Sequence, residues 1–411
     1  MDGWKGAPAS SDSLLPRVKT AGSDRPADLI CFSHLRWNFV FQRPQHLMIR
    51  AARSRRVFFW EEPDWVTPAE RSDPVPQLRL EVANGVTVAT PLLPAGMDER
   101  SAIGAQRVLL DRLLRAEDIS NPIMWYYTPQ AMPFSSHLTT CHPVIYDCMD
   151  ELSAFLGADR SLPARERALL DRADLVFTGG FSLYEVKRHQ HADVHPFPSG
   201  VDLAHFRPAR SGLAEPPDQS SIPHPRIGFY GVIDERLDIS LLAQLATLRP
   251  DWQIVLVGPV AKVDPETLPK APNIHYLGGK KYEELPAYLA GWDVALMPFA
   301  RNDATRFISP TKTPEYLAGG KPVVSTPITD VVRHYGRLKA VRIADSAPSF
   351  VEAIEDSLHL SKNPRIWLAE ADELLAAASW SGIWLRMMTL VDRVAAEKAA
   401  SAGGSQAREW L

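Results

Sequence analysis

Short apolar runs of strand length alternate with amphipathic, helix-length segments twice along this chain of 411 residues, and a stretch of Pro, Ser, Ala and Gly over 207–225 separates the two series. In the first series strands are expected at 28–33, 57–60, 86–89, 123–127, 144–146 and 174–178, with helices over 42–53, 102–114, 164–172 and 181–189. The second series opens at 226–231 and continues through a helix at 240–248, strands at 252–258 and 273–277, a helix at 282–290 and a strand at 293–298. Strands that alternate with helices imply parallel sheets covered on both faces. The expected fold class is therefore α/β, with two doubly wound domains facing a central cleft and ligands at the carboxyl ends of the strands. The boundaries expected are a disordered tail at 1–25, a first domain at 26–206, a linker at 207–225, a second domain at 226–378, a helix at 379–398 and a disordered tail at 399–411.

Hydrophobic content of 45% and charged content of 23% suit a globular protein with two cores. A net charge of −4 argues against a nucleic-acid partner. Three cysteines, Cys31, Cys141 and Cys148, have neither the even number of a disulfide framework nor the spacing of a zinc site. The residues from Met1 to Arg25 lack a signal-peptide core and no run approaches 18 apolar residues, so a cytoplasmic setting is expected.

The densest motif is the segment from Ser309 to Thr326. Ser309-Pro310 and Thr313-Pro314 are both helix-start signals, Gly319-Gly320 is a stop, and Pro322 to Ser325 opens a strand. Backbone N–H groups gather at such a helix start, Lys312 adds a full charge, and Glu315 can accept hydrogen bonds from a diol. Glu315 could equally be an acid that complements the helix dipole, and Lys312 a solvated charge. Upstream, Gly228-Phe-Tyr-Gly231 is a strand running into a glycine turn, followed by Arg236, whose guanidinium can fork onto phosphate oxygens. The strand at 273–277 runs into a loop at Gly278.

In the first domain, His34, Arg36, Trp37 and Arg43 fall in or just after the first strand-to-helix turn, where loops commonly carry function. Asp147, Asp150 and Glu151 follow the strand at 144–146. Two such carboxylates could share acid–base work, bind sugar hydroxyls or hold a metal, and Asp150 could also be a helix cap. Arg43, Arg50, Arg53, Arg55 and Arg56 lie on or just after one helix, a candidate basic face toward anionic lipid.

The segment 309–326 resembles the donor-site signature of GT-B glycosyltransferases, in particular the retaining family 4, and the first turn with its Arg43-Pro44 pair resembles bacterial cell-surface polysaccharide enzymes of the teichuronic-acid type. The resemblance covers residues 28–395 and is tightest from Gly228 to Ser325. It implies a GT-B fold of two Rossmann-like domains, with the helix at 379–398 crossing back to brace the first. It also implies a hexosyltransferase-type activity, with retention of configuration, that takes a nucleotide-sugar donor and a glycan or lipid-linked acceptor. No metal and no other cofactor are implied, and membrane contact would be peripheral, at the inner face. Donor binding would fall to Gly231, Arg236, Gly278, Ser309, Thr311, Lys312, Thr313 and Glu315. Acceptor-side roles would fall to His34, Arg36, Trp37 and Arg43, and catalytic roles to Asp150 and Asp147. Three positions depart from the family: Phe307 stands where a sugar-contacting glutamate is usual, Leu241 where a lysine is usual, and Asp147 and Asp150 lie near a strand end that usually carries a histidine. A sugar-nucleotide epimerase or hydrolase of the same fold, and a nucleotide-sugar-binding protein without turnover, remain the alternatives.

Overall fold

The computed structural model describes residues 26–70 and 75–408, with side chains described up to Ser401. The first domain is built on β1 (Leu29–Phe32), β2 (Val57–Trp60), β3 (Asp64–Val66), β4 (Gln77–Ala83), β5 (Val86–Pro94), β6 (Ile123–Tyr126), β7 (Val144–Cys148), β8 (Leu175–Thr178) and β9 (Val194–Pro196). Their order is β3-β5-β2-β1-β6-β7-β8-β9, all parallel, with β4 added antiparallel to β5. The second domain contains β10 (Arg226–Tyr230), β11 (Gln253–Val257), β12 (Ile274–Tyr276), β13 (Val294–Met297), β14 (Val323–Ser325) and β15 (Val341–Ile343). These run β12-β11-β10-β13-β14-β15, again parallel. Strand order therefore reverses between β10 and β13, and in the first domain between β1 and β6. A crevice opens at such a reversal, because the connections on its two sides leave in opposite directions.

Central strands such as β1, β2, β6 and β13 are buried along their whole length, which is why they read as apolar runs without alternation. The residues expected to form a linker are instead packed. Ala209 and Ile222 belong to the core of the second domain, while Arg210 donates to the Ala318 carbonyl at 2.6 Å and pairs with Asp372 at 2.8 Å. Arg210 thereby satisfies a carbonyl at the end of the helix Lys312–Ala318, and 207–225 is part of the second domain's frame.

The chain returns to the first domain at Ser379, which bridges to Val201. From there one helix runs Trp380–Arg408. Trp380, Ile383, Trp384, Met387, Val391 and Val394 lie against Leu47, Phe59, Trp125 and Phe177 of the first domain's core. Residues 399–408, expected as a disordered tail, continue this helix, and the expected tail at 1–25 lies outside the described residues.

Candidate active site in the interdomain cleft

At the strand-order reversal of the second domain, β10 ends at Tyr230 and the chain turns through Gly231, whose φ is +141°. A Cβ at Gly231 would lie 2.3 Å from Cε of Lys312, so a side chain there would push the lysine's end aside, and the φ of this turn also favours glycine. Lys312 is the first residue of the helix Lys312–Ala318, and its Nζ rests 5.6 Å from the Phe229 ring and 5.8 Å from the Phe299 ring. Those rings follow from β10 and β13, which places the ammonium over the reversal itself. Burial pulls the Lys312 ammonium down to about 8, and the Arg236 charge adds to the fall.

Arg236 is oriented by Asp234, which accepts from its Nε at 3.0 Å and its Nη2 at 2.6 Å. Glu315 is buried one turn into the helix, where Tyr230 donates its hydroxyl to Oε2 at 2.8 Å and the Thr311 hydroxyl lies beside it. Burial lifts the Glu315 carboxyl to about 7, against the opposing pull of the Tyr230 hydroxyl and Lys312.

Across the cleft stands Asp150, two residues beyond the end of β7. Burial lifts its carboxyl to about 6, although Arg236, Arg43 and Lys312 all favour its charge. That two of these cations come from the second domain places Asp150 opposite the Arg236–Lys312 pair. His34 stands two residues beyond the end of β1. Burial lowers its imidazole to about 4 and the Lys262 charge adds to this, so His34 is neutral near pH 7; its Nδ1 is buried with no hydrogen-bond partner among the described residues. Phe155 reaches over from the first domain, with Arg236 5.7 Å and Lys262 5.3 Å from its ring.

The remaining expected residues divide. Ser309 meets the first domain, its carbonyl accepting from the Ser199 hydroxyl at 3.2 Å. Gly278 turns the chain at φ +70°, and its carbonyl accepts from Gly258 N–H at 2.8 Å. Thr313 is fully buried inside the helix and offers no surface to the cleft, which corrects its expected donor-binding role.

Four corrections fall in the first domain. Asp147 lies within β7, fully buried, and accepts from Arg43 at 3.1 Å (Nε) and 2.8 Å (Nη2), while Arg43 Nη1 donates to the Phe197 carbonyl at 2.7 Å. Neither residue of this pair has a polar group left for a substrate. Trp37 packs edge-on against Phe59 in the core, and its backbone N–H donates to Glu61 at 2.8 Å. Arg36 is half-exposed and held by Asp64 at 2.5 Å and the Pro63 carbonyl at 2.9 Å. The expected basic face is also largely engaged: Arg50 donates to Ser381, Arg55 to the Ala27 carbonyl, and Arg56 pairs with Asp28. Sequence reasoning missed Phe155, Lys262 and Tyr230; only Tyr230 carried a signal, since it ends the strand before the glycine turn.

Residues 224–359, which contain β10 to β15 together with Gly231, Arg236, Lys312 and Glu315, match the family model described as glycosyl transferases group 1. That match lies within the second domain. The Bacillus subtilis (strain 168) protein TuaH, named for a glycosyltransferase role in teichuronic acid biosynthesis, is 30% identical over 237 residues, 53% of this chain. The match spans 59% of that relative's length. Among solved structures, sucrose-phosphate synthase of Thermosynechococcus elongatus superposes with a TM-score of 0.67 at 15% identity, over 90% of this chain and 100% of the other. The trehalose-6-phosphate synthase of Burkholderia multivorans gives 0.63 at 15%, over 92% and 98%. The E. coli trehalose-6-phosphate synthase bound with UDP-2-fluoro glucose gives 0.62 at 13%, over 89% and 99%. The chain has the GT-B fold.

Proposed function

We propose that this protein is a glycosyltransferase that moves a sugar from a nucleoside-diphosphate sugar to a glycan or lipid-linked acceptor, in the synthesis of a bacterial surface polysaccharide. The observation that carries the reading is the convergence of Arg236 and Lys312 from one domain with Asp150 from the other at the strand-order reversal. Arg236 and Lys312 take up the charge that develops on the departing diphosphate, in a cleft where water screens little. Glu315, backed by Tyr230, accepts hydrogen bonds from the ribose hydroxyls. Asp150 acts on hydroxyls of the sugar or acceptor, and His34, neutral and donating one ring N–H to the Tyr127 backbone, can accept a hydrogen bond at Nδ1. The UDP-sugar in the E. coli neighbour and the name of TuaH support the donor class and the polysaccharide role respectively. Retention of configuration belongs to the proposal through the family resemblance, and no metal is part of it. Contact with the inner membrane face would be peripheral; among the described residues no helix is long and apolar enough to cross a bilayer.

The test is incubation with a panel of UDP-, GDP- and ADP-sugars, with and without acceptors. Acceptor-dependent release of nucleoside diphosphate is the expected result. Free donor altered without acceptor points to the epimerase or hydrolase, and binding without turnover under every condition points to a binding protein.

A further inference from the structure

The helix Phe181–Lys187 of the first domain begins at Gly180, which has no side chain to cap it. Its cap comes from the other domain. Asp330, on the helix Thr329–Tyr335 and 1% exposed, accepts from the Ser182 N–H at 3.0 Å through Oδ1. The approach depends on Gly180, because a Cβ there would lie 1.9 Å from Asp330 Oδ2. Arg333, one turn along, stands 4.2 Å over the Phe181 ring, which seats the two helices on each other.

The same short helix grips the loop that carries Asp150 at both ends. At its start, Gly179 donates to the Cys148 carbonyl at 2.8 Å, and a Cβ on Gly179 would come within 2.6 Å of the Met149 carbonyl oxygen. At its last residue, the buried Lys187 ammonium binds Glu151 at 2.8 Å and Glu166 at 2.7 Å. Glu151 adjoins Asp150, and Phe155 follows four residues later.

We propose that Asp330 is an interdomain positioning residue: by capping the helix Phe181–Lys187 from the second domain, it fixes the loop of Asp150 and Phe155 when the cleft is closed. The helix is the rigid element between them, with Lys187–Glu151 as its far contact. That Asp150 is the group being positioned rests on the glycosyltransferase reading; the mechanical coupling does not.

Amide hydrogen exchange on the full chain reads the coupling without any substrate. Asp330→Ala should speed exchange about fivefold in 181–187, as expected for the loss of an average cap, and by a similar factor in 149–156. Asp330→Asn keeps the accepting oxygen and should leave both segments as in wild type. Lys187→Met should loosen 149–156 while 181–184 stay protected. Faster exchange in 181–187 alone overturns the proposal, and so does wild-type protection of 149–156 in Lys187→Met, which decides the matter if Asp330→Ala fails to fold. Where a donor is turned over, Asp330→Ala should lower kcat with KM held, and Asp330→Asn should restore it. Absence of turnover in wild type would count against the glycosyltransferase reading, while the exchange result stands separately.

Discussion

Asp147 and Asp150 stand three residues apart and meet opposite fates, because β7 runs on through Cys148. Expected to end at residue 146, the strand would have left both acids in a loop; the two extra residues turn Asp147 into the sheet, where Arg43 neutralises it, and leave Asp150 at the rim. Spacing alone could not locate that end, since Asp and Cys carry no strand signal strong enough to extend an apolar run. Removing one partner of a buried ion pair leaves an uncompensated charge, so Arg43→Met should lower unfolding free energy by about 3–5 kcal/mol in a urea titration. Asp150→Asn should behave differently. Its folded pKa of about 6 lies above the ordinary 3.8, so between those values the folded state holds a proton that the unfolded state has lost. The carboxyl's contribution to stability is therefore greatest below pH 4 and is lost as pH rises to about 6. Urea midpoints measured across that window should fall less steeply with pH in Asp150→Asn than in wild type, while turnover drops and donor affinity holds. Parallel pH curves would show that Asp150 is not the buried acid.

At the scale of elements, the parallel strands and their helices were readable because burial on both faces writes them as apolar runs. The edge was not. β4 alternates Leu78, Leu80 and Val82 with Arg79 and Glu81, but Leu80 and Val82 are exposed, so the period marks no buried face; its turn to β5 is Asn84-Gly85 with φ of +53° and +80°. That pair is a strong hairpin signal, so what trace the strand leaves is in the turn chemistry, and the apolar runs do not show it. The packed segment 207–225 was hidden for another reason: Ala209 reaches the core from the short turn Arg207–Ser211 and Ile222 from just beyond the short turn Pro217–Ser220, too few residues to show a period. The long C-terminal helix, in contrast, shows its apolar stripe plainly. Trp384 sits 5.9 Å from Trp125, and Trp384→Ala should cost about 3–5 kcal/mol of stability by cavity formation. A loss below about 1 kcal/mol in chemical denaturation would mean that the helix merely rests on the first domain.

Across the whole molecule, each domain supplies only part of the cleft's chemistry: Arg236, Lys312 and Glu315 from one, Asp150 and His34 from the other. Gly231, Lys312 and Glu315 could be grouped from the sequence because glycine, lysine and glutamate there answer to local backbone geometry. The facing half depends on how the two domains meet, through Asp330 on Ser182 and Ser199 on Ser309, and no local pattern records that. A bound diphosphate adds negative charge beside Asp150, Glu315 and Lys312, whose values of about 6, about 7 and about 8 should all rise. Binding near pH 7 should therefore take up protons, seen as a dependence of calorimetric heat on the buffer's ionisation enthalpy; proton release would contradict the placement of these groups. The most direct test is titration of UDP, GDP and ADP, and of the matching nucleosides, into wild type and Lys312→Met at low and high salt. At least one diphosphate should bind wild type, and Lys312→Met should weaken it by about 1.5–3 kcal/mol at low salt and less at high salt, with nucleoside affinity unchanged. Failure of every diphosphate to bind, or an equal loss for diphosphate and nucleoside, would contradict a cleft built to hold a nucleoside diphosphate through Lys312.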